Sequence, residues 1–313
     1  MKTILSVTSK NETEEMIKYL KGQNILGNKI IITPEGSGEF VAFWRMTYRC
    51  NTSCRYCKEN ETSNSQEMSL SKRLETIKKI AGLTDELHLS GGEVTTVHGY
   101  EDIIRTAHLL GIRAGINTNG VLVDKLLGTS KFLDEMIVSL DYPPYYHNSN
   151  RIPTSYNQIF RNIRLLSRRH PKVIVETVVS DENYSDHFSN PEKNQFAEEL
   201  LGECEISGVY YSFLMNRGRA KEFYGRSKVP VAKVHEAADL CEVYSKKYGI
   251  NFSAYDGTKP FDPMLHINPF GGMSFLGSDL GNILDGTSDS ILSEMCGLLE
   301  KLYNADVRVI ESP

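Results

Sequence analysis

Six apolar runs of strand length alternate with helical stripes through the middle of this chain. The runs are "FVAFWRM" (40–46), "ELHLS" (86–90), "RAGINT" (113–118), "EMIVSL" (135–140), "KVIVETVV" (172–179) and "GVYYSFLM" (208–215). Between them, Leu70, Leu74, Ile77 and Ala81 share one helix face. So do Ile103, Ile104, Ala107 and Leu110, and so do Tyr156, Ile159, Phe160, Ile163 and Leu166, entered through Pro153 and Thr154. Strand and helix in strict alternation predict a parallel sheet with right-handed crossovers. The repeating part spans about 180 residues, whereas a full eight-fold barrel takes about 250. The expected fold is therefore α/β, a partial (β/α)6 TIM-like barrel. An open doubly wound sheet stays compatible with the pattern.

The flanks read differently. Residues 1–38 form an N-terminal extension, with a short helix at "ETEEMIKYL", a strand at "NKIIITP" and a turn at "EGSGEF". Residues 39–220 hold the repeating core. Residues 221–313 form a small α+β C-terminal extension: a long helix through "PVAKVHEAADLCEVYSKKYG" closed by Gly249, short strands near "INFSAY", "LHINP" and "MSFL", and a last helix near 288–303. The whole chain is 313 residues, 40% hydrophobic, with 35 Lys+Arg against 40 Asp+Glu and a net charge of −5. That balance argues against a broad nucleic-acid footprint. No stretch reaches the roughly 18–20 apolar residues of a membrane span, and the N-terminus lacks the pattern of a secretory signal. A cytoplasmic protein with no nucleic-acid or membrane partner is the expectation, and six cysteines in a reducing compartment are not a disulfide framework.

In parallel α/β folds, ligands gather at the carboxyl ends of the strands. Here those ends carry "CNTSCRYC" after the first strand, "SGGE" after the second, "NTNG" after the third, "SLD" after the fourth, Ser180 after the fifth and "NRGRA" after the sixth. The first of these places Cys50, Cys54 and Cys57 on one loop, a soft ligand set. Structural zinc takes four ligands, and no nearby Cys or His completes the set. A 4Fe–4S cluster held by three thiolates leaves one iron open to a small molecule, so a three-cysteine site can be complete. A zinc knuckle closed by a distant ligand remains the rival, and would make the chain a non-catalytic zinc or iron–sulfur binding module.

C-x₃-C-x-aromatic-C after the first strand, with Gly-Gly-Glu after the second, resembles the radical S-adenosylmethionine (SAM) enzymes over residues 40–220. The resemblance implies that Cys50, Cys54 and Cys57 hold three irons of one 4Fe–4S cluster, and that the fourth iron chelates SAM. It implies an external electron donor such as flavodoxin or ferredoxin. SAM would be cleaved reductively to methionine and a 5′-deoxyadenosyl radical that takes a hydrogen atom from substrate. Tyr56 would pack near the adenine. Gly91 and Gly92 would let backbone approach the methionine part, and Glu93 would hold its ammonium. Asn119, Ser139 and Asp141 would bond the ribose or the methionine part, and Arg217 or Arg219 a carboxylate. Val94 stands where the family often has proline.

"LHINPFGGMSFLGSDLGNILDG" (265–286) is similar to the SPASM or twitch extension of that family, in which cysteines hold auxiliary clusters. No cysteine lies between 242 and 295 here. Without that electron acceptor, a redox-neutral outcome is favoured over net oxidation, with a dehydrogenase using an external acceptor as the alternative. A redox-neutral epimerisation needs a hydrogen donor, and Cys241 and Cys296 are the candidates, although both fit apolar helix stripes and core packing accounts for them better. The polar loop "DYPPYYHNSNR" (141–151) is expected as a substrate-facing lid, with a turn-rich connection as its plain alternative. The expected substrate is a peptide or a small, sugar-like natural product.

Overall fold

The computed structural model describes residues 2–7, 29–34, 41–57, 67–222, 224–255, 264–275, 278–303 and 308–311. The expected helix at "ETEEMIKYL" and turn at "EGSGEF" lie outside the described residues. The N-terminal extension contributes β1 (Lys2–Val7) and β2 (Lys29–Pro34). The core follows with β3 (Val41–Arg45), a two-residue β4 (Ser53–Cys54), β5 (Glu86–Ser90), β6 (Arg113–Thr118) and β7 (Glu135–Ser139). Then come a short β8 (Arg151–Ile152), β9 (Val173–Val179), β10 (Gly208–Phe213) and β11 (Asn251–Tyr255). The chain ends with β12 (Met264–Ile267), β13 (Gly272–Phe275), β14 (Ser278–Asn282) and β15 (Arg308–Glu311).

The six expected core strands lie side by side and parallel in the order β3-β5-β6-β7-β9-β10. That order never reverses, whereas a doubly wound sheet must reverse at its switch point. With right-handed crossovers, one winding direction puts the connecting helices on one face and leaves the other concave. The partial barrel is the architecture found, and it is open: β3 and β10 do not pair. Each free edge is extended instead. β11 joins β10 in parallel, and β12 joins β3 in parallel before β13 and β14 continue antiparallel. The strands expected in a separate C-terminal unit thus continue the core sheet. At the other extreme of the chain, β1 and β2 pair in parallel and β15 closes onto β2 antiparallel.

The crossover helices form where the periodicity places them. Ser69 caps the helix Leu70–Ala81 by accepting from the backbone N–H of Lys72, and Ser155 caps Tyr156–Ser167 by accepting from that of Gln158. Ile77, Ile103, Ile104, Ile159 and Ile163 are buried against Ala114, Ile116, Val138 and Val175 of the sheet's helix-facing side in one core. The long helix Val231–Tyr248 ends at Gly249, whose φ of 71° is the left-handed turn expected there. Among the described residues no helix is long and apolar enough to cross a membrane.

Candidate active site

The cysteine loop leaves β3 at the carboxyl end of the sheet and is fastened on several sides. Its start is bonded to the β5 exit: the backbone N–H groups of Gly92 and Glu93 donate to the carbonyls of Thr47 (2.7 Å) and Arg49 (2.8 Å). A Cβ on Gly92 would lie 2.1 Å from the Arg49 carbonyl oxygen, and one on Gly91 2.4 Å from that of Thr47, where φ is already +137°. Both glycines are therefore needed for the two loops to touch. Behind them, Glu67 accepts from the Thr47 hydroxyl (2.8 Å) and the Tyr48 N–H (3.0 Å), and Arg73 donates to the Met46 carbonyl (3.1 Å) and to Glu67 (3.3 Å).

The middle of the loop pairs with residues 150–152. β4 runs antiparallel to β8, with Cys54 opposite Arg151, and the Arg55 N–H donates to the Asn150 carbonyl (2.8 Å). At its end the Arg219 N–H donates to the Cys57 carbonyl (2.9 Å), and the Arg219 guanidinium donates to the Ser53 hydroxyl (2.8 Å). Of the two arginines expected near the site, Arg219 reaches this loop, while Arg217 is exposed on the turn before it. The Thr52 hydroxyl stands between two thiols, 3.2 Å from Cys50 Sγ and 3.6 Å from Cys54 Sγ. Asn119 Nδ2 approaches Cys50 Sγ at 3.9 Å and donates to Asn51 Oδ1 at 2.7 Å.

Three free thiols on one partly exposed turn are a soft donor set without a competing disulfide. Among the described residues, no three Cys, His, Asp or Glu side chains stand close enough to hold one metal ion. Three thiolates suit a 4Fe–4S cluster, which can leave one iron open, better than structural zinc, which takes four ligands.

Several expected ligands are occupied by the protein itself. Glu93 is 1% exposed. Its carboxylate accepts from the Thr95 N–H (3.1 Å), the Thr95 and Thr118 hydroxyls (2.5 and 2.8 Å) and the Asn119 N–H (2.8 Å). Burial raises its pKa, and these donors pull it back. Glu93 thus ties the β5 and β6 exits together.

Asp141, expected near SAM, is fully buried and engaged by protein donors. Arg151 grips it through Nε (2.8 Å) and Nη2 (3.0 Å), the Val178 N–H donates to it (2.9 Å), and so does the Tyr56 hydroxyl. Burial works to lower the pKa of Arg151, but the Asp141 carboxylate beside it prevails and holds it above its ordinary value. Tyr56 is itself buried, near-parallel to Tyr146 at 6.4 Å with the Arg151 guanidinium over its ring. Its ring is held by protein groups, which makes it an anchor of the cysteine loop. Ser139 is half-buried at the carboxyl end of β7, opposite Glu176 of β9.

The segment 141–151, expected as a lid, is largely built into the protein. Residues 144–150 form a helix, and Tyr146, His147, Asn150 and Arg151 are buried. Polar residues were tolerated inside because they satisfy one another. His147 Nδ1 accepts the Asp141 N–H at 3.2 Å, so its proton sits on Nε2 and faces the Thr154 hydroxyl at 3.1 Å. Burial pushes the His147 pKa down to about 4.

Cys241 is 2% exposed, on the core-facing side of the helix Val231–Tyr248, with its pKa pushed up to about 12 by burial. A thiol packed in this core agrees with the core-packing account of Cys241. The side chain of Cys296 lies outside the described residues.

Residues 44–188 match the model of the Radical SAM superfamily. The GTP 3′,8-cyclase of Synechocystis sp. is 29% identical over 211 residues, which are 64% of this chain and 63% of that relative. The chain thus spans less than two thirds of the length of this curated relative. Among solved structures, Streptococcus suis SuiB bound to S-adenosylmethionine shares the fold with a TM-score of 0.63 at 14% identity, covering 92% of this chain and 72% of that one. SuiB bound to its precursor peptide SuiA gives 0.61 at 13% identity, covering 84% and 63%. Residues 44–188 are thus similar to the radical SAM superfamily, whose members use a 4Fe–4S cluster and SAM.

Proposed function

We propose that the chain cleaves SAM reductively and directs the resulting radical at a peptide or a small natural product, with a redox-neutral outcome favoured over net oxidation. The observation that carries this reading is the cysteine loop, pinned at the barrel mouth by β5, β8 and the turn at Arg219. Cys50, Cys54 and Cys57 would hold the cluster. When bound, the cluster and SAM supply one-electron cleavage to methionine and a 5′-deoxyadenosyl radical, which takes a hydrogen atom from a C–H bond of the substrate. The chain's own residues do the positioning. Gly91 and Gly92 bring the β5 exit against the loop, Glu93 fixes that exit to Asn119, and Asn119 holds Cys50 and Asn51. Tyr56, Asp141 and Arg151 fix the loop from below, so little ordering remains to be done when cofactors bind.

A peptide substrate is supported by the fold shared with SuiB, which was crystallised with its precursor peptide. The absence of cysteine from 242 to 295 supports a redox-neutral outcome. Flavodoxin or ferredoxin would supply the electron. The test is anaerobic reconstitution followed by dithionite and SAM. Methionine and 5′-deoxyadenosine should form in equal amounts, and Cys54→Ala should carry no intact cluster. Cluster-loaded protein that leaves SAM untouched sinks this reading in favour of a binding module.

A further inference from the structure

The face of the sheet opposite the helices carries a hydrogen-bonded row of polar side chains. Phe43, His88, Asn117, Glu176 and Ser212 are all half-buried on this concave side. The His88 ring stacks on Phe43 (5.8 Å, 4° between planes) in space left by Gly115, where a Cβ would lie 2.7 Å from His88 Nδ1. His88 Nε2 meets Asn117 Oδ1. The Asn117 amide donates onward to Glu176 Oε2 (3.4 Å), and the Ser212 hydroxyl donates to Glu176 Oε1 (2.5 Å). Burial lowers the His88 pKa, so the ring is neutral and its proton points into the row. The last two donors of the row, the Asn117 amide and the Ser212 hydroxyl, end on the Glu176 carboxylate.

That carboxylate has neutral donors and feels the Arg151 guanidinium electrostatically, but among the described residues no ion-pair contact to it is seen. The cations around it are otherwise engaged. Arg151 is bidentate on Asp141, Lys172 pairs with Glu135 (2.6 Å) and Arg113 with Glu86 (3.0 Å) at the opposite end of the strands. A half-buried carboxylate facing an open concavity favours an incoming cation.

We propose that Glu176, with Ser212 and Asn117, is a cation subsite on the barrel wall that takes an ammonium or guanidinium group of the substrate. This rests on the radical SAM reading of the barrel, and it narrows the substrate class to an amine- or guanidine-bearing molecule, such as a peptide with a lysine or arginine side chain. Asn117 and Ser212 are positioning residues that hold the carboxylate toward the concavity.

The reconstituted full chain is titrated calorimetrically with Nα-acetyl-lysine amide and Nα-acetyl-arginine amide, each beside its uncharged counterpart, the Nε-acetylated lysine and the citrulline form. At least one cationic probe should bind about tenfold or more tightly than its neutral partner, and the pair that shows it separates ammonium from guanidinium. Glu176→Gln should abolish the preference. Ser212→Ala, which keeps the charge, should weaken binding a few-fold and retain the preference. Absence of any preference in the wild-type chain, or a preference that survives in Glu176→Gln, overturns the assignment. Binding is read without turnover, so a wild-type chain that binds the cation but never cleaves SAM refutes the enzyme reading alone.

Discussion

Replacing Arg151 by methionine tests how the cysteine loop is held. Asp141 is wholly buried, and two of its four donors come from Arg151. Arg151→Met leaves a carboxylate in the interior with only the Val178 N–H and the Tyr56 hydroxyl. Breaking a buried pair by removing one partner costs about 3–5 kcal/mol. At about 2–4 °C per kcal/mol, the low end of that range corresponds to a fall of roughly 6–12 °C in Tm. The measurement is equilibrium urea unfolding of metal-free, reduced protein, where cluster loss does not distort the transition. The double variant Asp141→Leu/Arg151→Met removes both charges and should recover at least half of the loss. Because Arg151 lies opposite Cys54 and its guanidinium covers Tyr56, the single variant should also take up less iron on reconstitution. A cost under about 1 kcal/mol, the level of a solvent-exposed pair, would refute the clamp. So would a double variant no more stable than the single one.

Gly92→Ala must push the β5 exit off the Arg49 carbonyl, 2.1 Å from the new Cβ. It should lower cluster content, read as iron per chain, with intact secondary structure by circular dichroism. Alkylation of metal-free native protein should label exposed Cys50 first and spare buried Cys204 and Cys241, as peptide mapping by mass spectrometry would show. Stability should fall as pH drops from about 6.5 toward 4, because His147 and His187 are each held at about 4 by burial while the unfolded chain binds their protons near 6.5. More protons bound by the unfolded chain means stability that rises with pH across that window, by up to roughly 3 kcal/mol per histidine. His187→Gln should flatten the urea-midpoint profile, and an unchanged profile would contradict the assignment.

The order of strands and helices was legible because each core strand is a short apolar run and each crossover helix shows a 3.6-residue stripe. "ELHLS" and "RAGINT" match β5 and β6 residue for residue. The cysteine loop was legible because its ligands lie within eight residues of one another, so spacing alone carries the chemistry. Partners far apart in sequence were not. Glu67 reaches Thr47 across 20 residues, Tyr56 reaches Asp141 across 85, and Arg219 reaches Ser53 across 166. Asp141 and Glu93 looked like free ligands because a carboxylate's donors are invisible until the chain is folded. "DYPPYYHNSNR" looked too polar to be buried for the same reason: its polar groups satisfy each other only once β4 meets β8. The concave row carried a faint sequence signal, a polar residue at alternate positions in "ELHLS", "INT" and "VETV". Only the register of the folded strands aligned those residues into one wall ending at Glu176. Local periodicity and close spacing thus determined the barrel and its cysteine triplet, while the long-range pairings that decide which charges are already neutralised belonged to the tertiary structure.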